Sequence, residues 1–158
     1  GVIDDVTLTY TKNSAVFKSD EYTIYTRLIE GKYFAYQKMF TEGEINTCAS
    51  RTALIGAMTR AKMCTEEKQP AVFQIEDDVL NISIRDKLAD YQEQVPLQET
   101  VCKSIRLGFD SRLVLETLKA FTCDNIALGF TSPRTPMIVE AEDSDMKAMV
   151  LPVAIREV

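Results

Sequence analysis

Short runs rich in apolar residues, separated by polar stretches, mark the first thirty positions. Residues 5–10 (DVTLTY) and 15–17 (AVF) read as strands flanking a polar turn, TKNS, and residues 21–29 (EYTIYTRLI) alternate as a third strand. Glu30-Gly31 breaks that run. The following GKYFAYQKMF is aromatic without a clear period, which predicts an extended crossing segment. A domain boundary is expected within a few residues of Gly31, so that residues 1–30 are strands of one domain and residues 31–158 form another.

Beyond the boundary the pattern alternates between sheet and helix. EINTCAS is a short strand, and RTALIGAMTRAKM places Ala53, Leu54, Ala57, Met58 and Ala61 at helical spacing after Ser50, a fair N-cap. TEEKQP is a polar connection. AVFQIED and DVLNISIRD predict two strands joined as a hairpin through Glu76-Asp77-Asp78, and LADYQEQVPLQE predicts a polar link containing Pro96. The order then recurs: TVCKSIRLGF as strand, Asp110 as cap, SRLVLETLKAF as helix, CDNIALGF as strand, SPRTP as turn and MIVEAE as strand. After the turn EDSD, KAMVLPVAI is predicted as a last strand. The two caps stand 60 residues apart, which suggests a duplicated strand–helix–strand–strand unit. Strands outnumber helices. The class is α+β, with two helices packed on antiparallel sheets.

Composition narrows the function. The chain has 158 residues, enough for a real core without metal or disulfide support. It lacks a run of about 18 apolar residues, so no membrane span is expected, and no basic start leads into an apolar segment, so no signal peptide is expected. Histidine is absent, which removes the commonest general base and every Ser-His or Cys-His arrangement. Cys48, Cys64, Cys102 and Cys123 form no C-x-x-C pair, which fits reduced thiols acting as small hydrophobes. The net charge of −6 argues against a nucleic-acid binder, although a local basic face can coexist with an acidic sum.

Three groups of residues remain as candidates. Glu76, Asp77 and Asp78, with Glu140, Glu142, Asp143 and Asp145, are either solvated turn residues or the acids of a small metal-assisted hydrolase. Arg51, Arg60 and Lys62 on the first helix, with Arg112 and Lys119 on the second, are either ordinary polar faces or a paired basic surface for a phosphate backbone. The closing MVLPVAI is either a buried strand or an edge that receives a partner peptide. Pro152 has no N–H to give a ladder and favours the edge. No glycine-rich phosphate loop or metalloprotease helix is present.

Three stretches, in one order and with fitting spacing, carry a resemblance. TRLIEGKYFAYQKMF is similar to the S-R-L-I-E-G-x-[FY]-P-x-Y segment between the second and third domains of the bacterial sliding clamp, the DNA polymerase III beta subunit family. LGFDSRLVLETLKAF resembles that family's G-F-N-x-x-Y-L-x-x-x-L-x-A helix entry, and MVLPVAI resembles its closing M-P-x-R-L. The resemblance runs over residues 22 to 155. It implies the last strands of the second domain over 1–30 and the third domain over 31–158, in a DNA-clamp fold.

The resemblance further implies a cytoplasmic, non-catalytic processivity factor without a cofactor. Its subunits would form a homodimeric ring around duplex DNA, contacted through the backbone without sequence readout. The DNA polymerase III alpha subunit, the clamp loader and repair proteins would dock short peptides, a glutamine followed by leucines and phenylalanine. The implied docking residues are Phe34, Lys38, Met39, Asp110, Leu113, Arg134, Pro136, Met149, Leu151, Pro152, Val153, Ala154 and Ile155. The implied DNA-facing residues are Arg51, Arg60, Lys62, Arg112 and Lys119, and the implied ring interface is Met63 and Cys64. The sequence departs from the family at several of these places. Phe34 replaces proline, Asp110 asparagine, Leu113 tyrosine and Ala154 arginine, and Glu116 interrupts the basic face. A second reading follows from the departures: a clamp-like peptide-binding module that does not encircle DNA.

Overall fold

The computed structural model describes residues 5–64, 69–85, 90–141, 143 and 145–155. The chain divides into two compact units, residues 1–36 and residues 37–158. In the first, β1 (Thr7–Tyr10), β2 (Ser14–Lys18) and β3 (Thr23–Arg27) form an antiparallel meander. Its register runs from Tyr10↔Ala15 through Ser14↔Arg27. Thr11 turns the first corner, its backbone N–H donating to the Ser14 carbonyl at 2.8 Å. Beyond the end of β3, Gly31 sits at φ +133°, a conformation that side chains disfavour.

One turn of 3-10 helix, Tyr36–Met39, stands at the start of the second unit's chain, its first residue belonging to the first unit, where an extended segment was expected. The second unit then runs β4 (Ile45–Ser50), α1 (Arg51–Met63), β5 (Ala71–Arg85), β6 (Asp90–Phe109), α2 (Ser111–Ala120), β7 (Asn125–Phe130), β8 (Met137–Ala141) and β9 (Lys147–Val150). The sheet order is β5-β6-β4-β7-β8-β9, with every pairing antiparallel.

The helices form where the sequence caps them. Ser50 accepts a hydrogen bond from Ala53 N at 3.4 Å, and Asp110 accepts one from Arg112 N at 2.8 Å. Leu54, Ala57, Met58 and Ala61 bury one stripe of α1, and Val114, Leu115 and Leu118 one stripe of α2. The helices lie against each other, α1 over β4, β5 and β6 and α2 against β9. Beneath them Phe73 and Phe109 meet edge to face at 5.2 Å, with Phe121 and Phe130 also fully buried.

Three expectations are corrected. The acidic trio is no hairpin turn: β5 is one strand, and its register shifts between Ile75, Asp77 and Val79 mark a bulge with Asp77 at φ 52°. An aspartate accepts that left-handed conformation more readily than most side chains, so the trio bends a strand and does not end it. The polar link is also a strand, because β6 begins at Asp90, and its alternating Tyr91, Glu93 and Val95 turn inward while Gln92 and Gln94 face out. The last strand stops at Val150. Beyond it, among the described residues, Val153 alone pairs, by a single bridge to Gly108.

The duplication is present, with β6 serving both halves. The first half of β6 completes β4-α1-β5, and its second half leads into α2-β7-β8-β9. Each half repeats one contact: Ala49, ahead of the first helix, pairs with Leu97, and Gly108, ahead of the second, pairs with Val153. Both partners directly follow a proline, Pro96 and Pro152.

Candidate peptide cleft and helix face

A cleft of about 430 Å³ lies between the C-terminal tail and β6. Arg106, Leu107 and Gly108 form its floor, Pro133 and Arg134 one wall, and Pro152, Val153, Ala154 and Ile155 the other. The tail is laid down by one backbone hydrogen bond, Val153 N–H to the Gly108 carbonyl at 2.8 Å. Gly108 permits this approach, since a Cβ there would come 2.8 Å from the Val153 carbonyl oxygen. The Pro133–Arg134 wall is the tip of a turn. The Ser132 N–H donates to Thr135 Oγ1 at 2.9 Å and the Thr135 N–H to the Ser132 carbonyl at 3.2 Å, with proline in the position that favours its fixed φ.

Of the docking residues expected from sequence, this cleft brings together Arg134, Pro152, Val153, Ala154 and Ile155. Leu151 is 58% exposed and Leu113 47% exposed, and neither lines it; Pro136 and Met149 are half-buried outside it. Asp110 is occupied as the cap of α2. Lys38 and Met39 belong to the 3-10 turn of the second unit, and Phe34 lies exposed in the first unit. Arg106, Leu107, Gly108 and Pro133 were not anticipated. The local signal for Gly108 is a glycine inside a strand pattern, which often marks a close backbone approach.

The five expected cations divide by what they touch. Arg51 turns its Nε toward the Cys123 carbonyl at 2.6 Å. Arg60 reaches Glu93 with both arms of its fork, Nε to Oε2 at 2.8 Å and Nη2 to Oε1. The Tyr91 hydroxyl donates toward the same carboxylate and lies 2.9 Å from the Ala57 carbonyl. Hydrogen bonding from Arg60 holds Glu93 below the usual carboxylate range, and the pairing raises Arg60 further. Burial raises the Tyr91 phenol, with the neighbouring Glu93 adding to it. Arg112 stands 3.5 Å from Asp110, while Lys62 and Lys119 are exposed in the last turns of their helices. Met63, 81% exposed, and Cys64, the C-cap, end α1.

The acidic clusters do not assemble a metal site among the described residues, and Glu142 lies outside them. Glu140 is paired with Lys147 at 2.8 Å across β8 and β9. No helix among the described residues is long and apolar enough to cross a membrane.

The family described as DNA polymerase III beta subunit, C-terminal domain, matches residues 40–154. The beta sliding clamp of Staphylococcus aureus is 24% identical over 155 residues, covering 95% of this chain and 41% of its own length. The DNA polymerase III subunit beta of Pseudomonas aeruginosa has the same fold at a TM-score of 0.87 and 19% identity, over 96% of this chain and 43% of that one. The sliding clamp of Bartonella birtlesii, solved bound to griselimycin, aligns at a TM-score of 0.86 and 16% identity, over 95% of this chain and 41% of that one. The chain thus spans about two fifths of the length of these relatives.

Proposed function

The chain belongs to the DNA polymerase III beta subunit family, by that family's C-terminal domain, and on that premise we propose that it serves a sliding clamp as a non-catalytic docking and DNA-facing part. Residues 1–30 are read as the last strands of the clamp's second domain and residues 31–158 as its third domain. In this role the cleft against β6 receives a short peptide from a polymerase, a clamp loader or a repair protein. The paired helices face the backbone of duplex DNA, and Met63 with Cys64 meets another subunit to close a homodimeric ring.

The observation that carries this reading is the cleft itself. Two sequence stretches that resemble clamp motifs, LGFD and LPVAI, are far apart in the chain, and Leu107 and Gly108 of one meet Pro152 to Ile155 of the other in the lining of one cleft. An extended peptide suits such a place, where the described residues of an apolar tail make one backbone bridge and the guanidinium groups of Arg106 and Arg134 both line the cleft. The test is a titration of a labelled peptide bearing a glutamine followed by leucines and a phenylalanine. Saturable binding that an unlabelled copy displaces is expected. A flat titration at millimolar chain overturns the docking role.

One observation favours the second reading, a docking module that does not encircle DNA. Arg51 is committed to a backbone carbonyl and Arg60 to Glu93, and the whole chain carries −6. The discriminating measurement is duplex binding against salt. A clamp role requires a log–log slope that reports released counterions, and an adaptor requires none.

A further inference from the structure

Arg60 sits on the exposed side of α1, yet its fork is already filled. Two parallel N–H···O contacts to one carboxylate reproduce the geometry in which a guanidinium grips a phosphate. Glu93 is placed for this by its strand. The alternation of β6 turns Tyr91 and Glu93 to the helix side, and the Tyr91 hydroxyl, within reach of both Glu93 and the Ala57 carbonyl, pins the carboxylate against α1. The arrangement is tertiary, since residue 93 meets residue 60 only after β6 has docked beneath the helix.

We propose that Glu93 is an internal stand-in for a DNA phosphate, which holds Arg60 out of the DNA-contacting set and so limits the ionic contacts the helix face makes. The inference rests on the DNA-facing role proposed above and adds the residue that tunes it. A duplex phosphate approaching Arg60 must displace a carboxylate tethered to the same domain, whose local concentration is high, and must approach its negative charge. The pair is partly exposed, with Arg60 57% and Glu93 26% accessible, so it exchanges with competing anions and does not lock. Lys62, Arg112 and Lys119 then carry most of the contact. A face weakened in this way suits a surface that must slide along a backbone and not grip it.

The test compares the 158-residue wild-type chain with Glu93→Gln, Arg60→Gln, the double variant, and Glu21→Gln as a charge-matched control in the first unit. Anisotropy of a labelled 20–30 base-pair duplex is followed from low to moderate potassium chloride. Glu93→Gln is expected to raise affinity beyond the control and to steepen the log–log slope by about 0.9, the share of one further phosphate contact. Arg60→Gln alone is expected to change little, and adding it to Glu93→Gln is expected to cancel the gain. The proposal is overturned if Glu93→Gln matches the control, or if the double variant keeps the gain. If wild type shows a salt-sensitive slope and Glu93→Gln matches the control, only the Glu93 assignment falls. If no variant binds duplex at the lowest salt, the DNA-facing role falls and the Glu93 assignment with it. Thermal melts of each variant confirm that the comparison is between folded chains, and glutamine keeps an acceptor for Tyr91.

Discussion

Val153 and Gly108 are joined by one backbone hydrogen bond of 2.8 Å, and the α-carbon of Gly108 leaves no room for a methyl group, which would stand 2.8 Å from the Val153 carbonyl oxygen. The obstructing atom is backbone, and Ile155 Cγ1 follows at 3.0 Å, so the tail itself must move. Gly108→Ala is therefore expected to lift residues 153–155 from β6 at a cost of about 1–3 kcal/mol. Hydrogen exchange reads the outcome: the Val153 amide should lose protection while those of β5 keep theirs.

Leu151→Asp separates docking from folding. Leu151 is 58% exposed, so an acid there should leave the melting temperature within the range of a surface change, about 0.5 kcal/mol. Beside the cleft it places a charge where an apolar peptide side chain would be desolvated. Peptide binding should be lost in a fluorescence titration with the melt unchanged. Unchanged affinity would exclude this part of the tail from the docking surface. Val150→Asp, one residue earlier and 3% exposed, should fail to fold.

Asp110 serves the helix whatever its role in docking. It accepts from Arg112 N at 2.8 Å and from Leu113 N at 3.4 Å, and its charge lies at the positive end of α2. Asp110→Ala should cost about 1 kcal/mol, while Asp110→Asn should cost little, since asparagine caps nearly as well. Urea melts of the two variants measure the difference.

The Glu93 carboxyl is held below its ordinary range by Arg60, so folding favours its ionised form. Its contribution is fully present above the ordinary glutamate value of about 4.3 and disappears as pH falls through the lowered folded value. The stability gap between wild type and Glu93→Gln should thus be constant from pH 7 to about pH 5 and close at more acid pH. A gap that persists undiminished at about pH 2 would mean that Glu93 acts through packing.

Arg112→Glu reverses a charge on the exposed side of α2, 59% accessible and 3.5 Å from Asp110. Duplex affinity at low salt should fall by a similar factor on unrelated sequences, because backbone contacts carry no sequence information. A loss confined to one sequence would contradict a face that reads only phosphates.

The elements governed by local pattern were legible. Residues 51–63 were recognisable as a helix from the recurrence of Leu54, Ala57, Met58 and Ala61, and Ser50 and Asp110 announced both helix starts. What failed was punctuation. Glu76-Asp77-Asp78 has the composition of a turn, and only its pairing with Val101 shows that it bulges within a continuing strand. Residues 90–99 look like a linker because the outward face of β6 there carries Gln92, Gln94 and Gln98 and the inward face includes Glu93, whereas the decision to pair is made by the partner strand. The tail's place in a cleft was legible through motif likeness, but its floor was not, since Arg106 and Leu107 adjoin the tail only through the fold. The Arg60–Glu93–Tyr91 cluster left no local trace, because its members become neighbours only when α1 settles on β6.

The pairing of β4 with β7 gives the duplicated architecture an unexpected property. Ile45 faces Phe130 and Ser50 faces Asn125, so the opening strand of the first half is laddered to a strand of the second. Because β6 is shared as well, neither half owns a complete sheet. A chain cut after α2 would leave β4 with one flank bare, an open template for other chains. Two copies of a unit do not here make two modules. The halves share one sheet, and the ladder that joins them brings residues 45–50 to residues 125–130, so its assembly should be slow for its size.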